Sequence, residues 1–240
     1  MNEDIKKSAE KKTIKRLCHF TPSRNLLHIA AGKSGILSTS ALEKAERITF
    51  NATDLKRLDG QRAHICCSIE YPNAWYFDRA RTDNDLFPDW VVLLVDPKYL
   101  WQEGTLFCPR NAAAEYGRYI AKGPQAFEAM FSDEVVGTRQ TVYRRTKDQL
   151  SACPTDQQAE VLVPDKIAIA DVLGVGVKDE EQAMTERSRL KVTGLDPEMF
   201  RFVIAPHMFK KYELDNAIKN GKRPTETIFV PKTQTVGKHG

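Results

Sequence analysis

"TDQQAEVLVPDKI", residues 155–167, is the stretch on which the reading of the chain turns. Residues 159–163 form a short β-rich run, and Glu160 sets a carboxylate inside it. An unpaired carboxylate buried among apolar groups costs several kcal/mol or takes up a proton. Glu160 therefore either faces water or lines a cleft whose ligand needs it. Side chains two apart on a strand share a face, so Gln158 and Glu160 are expected to point one way while Ala159, Val161 and Val163 face the opposite layer.

Outward from this strand, short β runs alternate irregularly with helices. "RLCHFT" (16–21) reads as a strand, and Pro22 and Ser23 open a helix, "PSRNLLHIAAG" (22–32). "AHICCSIE" (63–70) is a further strand, and "DWVVLLVDP" (89–97), an unbroken apolar run stopped by Asp-Pro, reads as a central one. "PRNAAAEYGRYI" (109–120), "PQAFEAMFSD" (124–133) and "KDEEQAMTERSRL" (178–190) are expected to be helices, and "IADVLGVGV" (169–177) and "FRFVIAP" (200–206) strands. Residues 132–155 have few apolar runs and are expected to form a mobile loop. This irregular order implies an α+β sandwich and not a doubly wound parallel sheet.

With 240 residues and an apolar fraction of 41%, the chain can bury a sizeable core. It has no run of about 18 apolar residues that would span a membrane, and its charged start lacks the apolar region of a secretory signal. Five cysteines without a C-x-x-C pair argue against a disulfide framework and a zinc site, so a reducing, cytoplasmic setting and no metal are expected. The net charge of +4 is uneven: residues 1–16 contribute +3 and residues 207–240 contribute +4, leaving the middle at −3. Basic ends are either solvated tails or weak attractors of a polyanion such as nucleic acid. We divide the chain into a basic N-terminal arm (1–15), a central domain (16–206) and a basic C-terminal extension (207–240). The phosphate-binding glycine fingerprints, the serine-nucleophile elbow and the zinc-protease and deaminase motifs are all missing from the sequence.

A Q-x-E pair at a strand lip suits one definite chemistry, the transfer of ADP-ribose from NAD. The nicotinamide–ribose bond breaks with oxocarbenium character, and a carboxylate that accepts a hydrogen bond from the ribose 2′-OH spreads that charge. The pair alone also describes an ordinary edge-strand glutamate. It does not stand alone. "PTDQQAEVLV" (154–163), "CHFT" with "NLLHIAAG" (18–21, 25–32), "LKRLDG" (55–60), "CSIEYPN" (67–73), "WVVLLVDPKYLW" (90–101) and "FCPRNAAAEYG" (107–117) together resemble, in order, the DarT family of nucleic-acid ADP-ribosyltransferase toxins. "CSIEYPN" leans towards the family's guanine-modifying branch.

The resemblance implies an ADP-ribosyltransferase fold: two packed β-sheets around an NAD cleft with flanking helices. It implies NAD as co-substrate and Glu160 as the catalytic glutamate. It also implies Arg57 (with Arg62 as a competing match) as the site arginine, and His19, Phe20, Thr21 and Asn25 as NAD contacts. Tyr71, Trp75 and Tyr76 compete to stack on nicotinamide. A cognate antitoxin, an ADP-ribosyl hydrolase or a direct inhibitor, is the implied partner. The segment before the catalytic strand, "GTRQTVYRRTKDQ" (137–149), interleaves cations with an aromatic ring. Arg139, Tyr143, Arg144, Arg145 and Lys147 thus suit single-stranded nucleic acid, cations meeting phosphates and the ring stacking a base. DNA is the expected acceptor. RNA, a protein acceptor and a non-enzymatic binding module are the alternatives.

Overall fold

The computed structural model describes residues 1–32, 34–44, 57–83, 88–137 and 141–231. In chain order the elements are α1 (Glu3–Lys11), β1 (Leu17–Pro22), α2 (Ser23–Gly32), β2 (Ile36–Leu37), α3 (Thr39–Lys44), β3 (His64–Ile69), α4 (Ala74–Thr82), β4 (Trp90–Val95), β5 (Leu106–Cys108) and β6 (Ala121–Lys122). There follow α5 (Pro124–Ala129), β7 (Glu134–Val136), β8 (Val142–Arg144), β9 (Glu160–Pro164), β10 (Lys166–Ile167), β11 (Val172–Val177), α6 (Glu180–Val192), β12 (Phe202–Ile204), α7 (Lys211–Lys219) and β13 (Thr227–Ile228).

β4 explains the centre of the fold. Val91, Leu93 and Val95 face one core cluster with Leu26 and Ile29 of α2 and Leu190 of α6, while Trp90, Val92 and Leu94 face a second with Phe77 of α4 and Leu214 of α7. A strand buried on both faces must be apolar at every position, and this one is. Ile5 and Ala9 of α1 belong to the first cluster and Ile218 of α7 to the second.

The main sheet is mixed, in the order β13-β12-β11-β4-β1-β3-β9-β5-β6, with β11 and β12 parallel and its other pairs antiparallel. The expectation of two separate packed sheets is corrected: one ladder runs through all nine strands. It is nevertheless nearly cut in two. β1 pairs with β4 along its whole length, but with β3 only at Leu17↔Ile69 and Cys18↔Ser68. Beyond Cys18 the two strands part, and the ladder opens into a wedge.

Three further expectations change. Residues 109–120 do not form a helix; only a single short turn, Ala114–Gly117, is helical, and inside it Glu115 (φ 51°), Tyr116 (φ 57°) and Gly117 (φ 84°) are left-handed. The left-handed form costs a non-glycine residue about 1–2 kcal/mol, so tertiary contacts override the helix propensity of Ala112–Ala114 here. Residues 132–155 are not one loose loop: β7 and β8 pair as a hairpin, with Val135 opposite Tyr143. The following turns are pinned by Arg145, which donates to the carbonyls of Cys153 (2.9 Å) and Leu150 (2.8 Å). Finally, β9 begins at Glu160, so Gln158 sits in the preceding turn, its N–H held by Asp156 Oδ1 at 2.9 Å, and not two places along the same strand.

Candidate active site

The wedge between β1 and β3 is a cleft of about 780 Å³. One wall is β1 and α2, with His19, Phe20, Thr21 and Asn25; the other is β3, the turn before it and the start of β9, with Arg57, Asp59, Cys66, Gln158 and Glu160; Trp75 and Tyr76 of α4 close one side. Because β1 has lost its β3 partner beyond Cys18, the backbone edge it turns towards the cleft is released from the ladder in this stretch.

His19 spans the wedge. Its Nδ1 lies 2.8 Å from the Cys66 carbonyl. Burial, joined by the charge of Arg57, holds its pKa below the ordinary histidine value, against the opposing effect of that hydrogen bond. The ring is therefore neutral near pH 7: Nδ1–H donates to Cys66, and Nε2 remains as an acceptor. Thr21 Oγ1 accepts from Asn25 Nδ2 at 2.9 Å, which fixes the strand-to-helix corner. Phe20 stacks on Phe77 (centroids 4.7 Å apart) and meets Tyr76 edge-on.

Glu160 is buried, 7% exposed, and its Oε2 accepts the Ala112 N–H at 3.1 Å. Burial is the largest influence and pushes its pKa up to about 7; Asp59 adds to the rise, while the Ala112 N–H, the Asn73 amide and Arg57 oppose it. Arg57 has a left-handed backbone (φ 38°) and a buried guanidinium. Its Nε and Nη2 clamp Asp59 at 3.0 and 2.8 Å, Nη1 donates to His64 O at 2.7 Å, and Nη2 also donates to Gln61 O. Arg62 pairs with Glu43 at the surface, away from the cleft lining.

The arrangement thus puts an acceptor-bearing neutral imidazole and a buried carboxylate on opposite walls of one cleft, with a cation behind the carboxylate. A sequence model described as "ssDNA thymidine ADP-ribosyltransferase, DarT" matches residues 18–210. The chain belongs to the DarT family. It is an ADP-ribosyltransferase. Three solved DarT structures share its fold. Thermus sp. 2.9 DarT in complex with NAD+ aligns with a TM-score of 0.53 at 14% identity, over 81% of this chain and 97% of that one. The same protein in complex with ADP-ribosylated ssDNA gives 0.51 at 13% identity, over 82% and 97%. Thermosipho africanus DarTG in complex with ADP-ribose gives 0.51 at 14% identity, over 81% of this chain and 51% of that one, so the chain spans about half of that DarTG. No curated protein sequence matches.

Within this DarT-family cleft, Glu160, Arg57, His19, Phe20, Thr21 and Asn25 come together. Tyr143, Arg144, Arg145 and Lys147 are not among the residues that line it. Arg144 is exposed and pairs with Glu134 across the hairpin at 2.8 Å, Lys147 is exposed, and Tyr143 is half-buried over Gly137, where an added Cβ would sit 2.5 Å from the ring. The guanidinium of Arg145 is spent on the carbonyls that hold its own loop. Arg139 lies outside the described residues. Of the aromatics, Tyr71 is buried in the second core cluster beneath Arg16, whereas Trp75 and Tyr76 reach the cleft.

One site residue carries no role in the sequence reading. Asn73 caps α4, its Oδ1 accepting from Tyr76 N at 3.0 Å, while its own N–H donates to Ser68 Oγ at 3.1 Å. Its buried Nδ2 lies beside the Glu160 carboxylate and favours the ionised form. The available signal was Pro72-Asn73 directly before an aromatic run, which reads as a cap and nothing more. Among the described residues no cluster of His, Cys, Asp or Glu is placed to hold a metal ion.

Proposed function

We propose that this DarT-family enzyme takes ADP-ribose from NAD+ and transfers it to a base in single-stranded DNA, acting as a toxin. The observation that carries the reading is the pairing of Glu160 and His19 on opposite walls of one buried cleft in a chain of this family. In the proposed reaction the bond from nicotinamide to ribose C1′ breaks and nicotinamide leaves with its electrons. The ionised Glu160 accepts a hydrogen bond from the ribose 2′-OH and stabilises the oxocarbenium charge. His19 Nε2 accepts from a hydroxyl of the same ribose, Thr21 and Asn25 hold that corner, and the backbone of Phe20 takes the nicotinamide amide. Arg57, clamped by Asp59, favours the ionised form of Glu160 and positions the turn at 57–64. A nitrogen of the acceptor base then bonds to C1′ and gives up its proton to solvent water.

A base stacked inside a duplex cannot reach C1′, so the acceptor is a single strand or a flipped nucleotide. Arg144, Lys147 and Tyr143, with Arg139, are the proposed contacts to that strand. Guanine is the proposed base, supported by "CSIEYPN" at 67–73; thymidine is the second reading, supported by the description of the family. We further propose a cytoplasmic toxin with a cognate antitoxin that removes the mark or blocks the cleft. No helix among the described residues is long and apolar enough to cross a membrane.

The test is transfer of label from adenylate-labelled NAD+ to oligodeoxynucleotides containing one guanine or one thymine, with RNA, duplex DNA and protein as rivals and Glu160→Gln as the control. Label in single-stranded DNA supports the reading, and the labelled base decides between guanine and thymidine. Label confined to RNA or protein overturns it.

A further inference from the structure

Tyr116 is 84% exposed, in a strained turn: Glu115, Tyr116 and Gly117 are left-handed in succession. Two such non-glycine residues side by side persist only where the surroundings enforce them, and strain of that kind gathers at ligand-handling segments. The enforcing contacts are on view. The Glu115 carboxylate accepts from Tyr119 Oη at 3.0 Å and from Arg118 at 3.3 Å, and the guanidinium of Arg110 stands 3.9 Å from it. Gly117 packs so closely on the Asp59 carbonyl that an added Cβ would lie 2.7 Å from it. Arg110, buried at 2% exposure, stacks over Tyr119 and donates to the Val136 carbonyl of the β7–β8 hairpin at 3.0 Å.

This turn is therefore tied to three parts of the site. Asp59 is the partner of Arg57, Val136 is in the proposed strand-binding hairpin, and Ala112, four residues before Tyr116, gives its N–H to Glu160. Four residues limit the distance from Ala112 to Tyr116 to about 14 Å even if fully extended. Ala113 and Ala114, between them, line the cleft. The protein thus holds a strained, many-anchored turn at the edge of the cleft and presents from it one large ring to water. An aromatic face offered this way suits a nucleobase, because base–aromatic stacking needs no particular base and tolerates any sequence.

We propose that Tyr116 is a stacking platform for a base of the acceptor strand next to the modified nucleotide. This rests on the single-stranded DNA reading above. The left-handed backbone supplies a test that a structural role would not pass. Glycine adopts φ near 57° without penalty, so Tyr116→Gly should keep or raise the melting temperature. At the same time it should weaken affinity for a fluorescent single-stranded oligonucleotide roughly 5- to 100-fold, with an unchanged salt slope. Tyr116→Trp should retain affinity. An oligonucleotide with one abasic site beside the target should bind the parent protein more weakly by a similar factor, and Tyr116→Gly should lose nothing further on it. If Tyr116→Gly binds the intact strand as the parent does, or if the abasic and glycine losses add, the platform is wrong while label transfer by the parent still upholds the function. If the parent neither binds nor labels single-stranded DNA, the functional reading falls and takes the platform with it.

Discussion

Glu160 sits in the conflict between burial and charge. Its ordinary carboxyl pKa of 4.5 is pushed up to about 7, chiefly by burial. The folded state then holds a proton that the unfolded chain has lost between those two values, so this group makes stability fall as pH rises from about 4.5 to 7. Glu160→Gln removes the penalty. It should raise stability at pH 8 by on the order of 3 kcal/mol, at about 1.36 kcal/mol per pKa unit, and leave stability at pH 4 unchanged. The same variant should lose about 10²–10³ or more in transfer rate, as expected when one key electrostatic group is removed. Thermal melts at the two pH values and single-turnover labelling check both halves. In the parent, kcat/KM should climb with pH through an apparent pKa near 7, because this quantity reports the free enzyme. Asn73→Ala removes an amide that favours the ionised carboxylate, so it should move that limb to higher pH and cut the rate at pH 7 about tenfold. A slower variant with an unmoved limb would show Asn73 to be only a helix cap.

At the scale of elements, the hairpin and its following turns divide their cations between two tasks. Arg144 and Lys147 are exposed, whereas Arg145 is built into the loop. Arg144→Ala and Lys147→Ala should each lower the log–log salt slope of oligonucleotide binding by about 0.7 per lost phosphate contact while leaving the melting temperature within a degree or two. Arg145→Ala leaves two carbonyls without their donor and should cost about 1–3 kcal/mol of stability. The reverse pattern, a salt-slope change for Arg145→Ala without destabilisation, would make it a strand contact. Sequence composition groups these cations as one basic loop, since nothing in "YRRT" distinguishes a guanidinium that meets water from one that meets Cys153 O. The alternation along β8 turns successive side chains to opposite faces.

At the scale of the molecule, the C-terminal segment returns to the start of the sheet. Arg16 makes a two-pronged pair with Glu226 at 2.6 and 2.5 Å, and Arg223 reaches the buried Glu70 at 3.0 Å. Glu70 also takes the Lys15 N–H, and its own carbonyl accepts Arg16 Nε at 2.8 Å. These contacts sit at the closed end of the wedge, where Leu17 and Cys18 pair with Ile69 and Ser68. Arg16→Met leaves Glu226 without its partner in a mostly buried place and should cost about 2–4 kcal/mol, read as a lower urea midpoint. A chain ending at residue 206 also gives up the burial of Leu214 and Ile218 in the second core cluster. It should melt at lower temperature and less cooperatively, and an unchanged melt would make residues 16–206 a separable unit.

The residue order alone was enough for the α+β class, the two-faced strand at 90–95, and the short blocks that mark the family. Each of these depends on local pattern: alternation, unbroken apolar runs, caps and short motifs. The site's working geometry was not legible in that way. The wedge exists because β1 and β3 share only two register positions, and a register is a relation between segments some fifty residues apart. Gln158 reaches the cleft through a turn held by Asp156 and not by strand alternation. Asn73 meets Glu160 although 87 positions separate them, and the left-handed turn at 115–117 runs against the helix propensity of its own alanines. Local propensities amount to tenths of a kcal/mol per residue, whereas an unpaired buried carboxylate or guanidinium costs several. Where the two compete, as around Glu160 and Arg110, the long-range pairing wins, and only the tertiary structure records it.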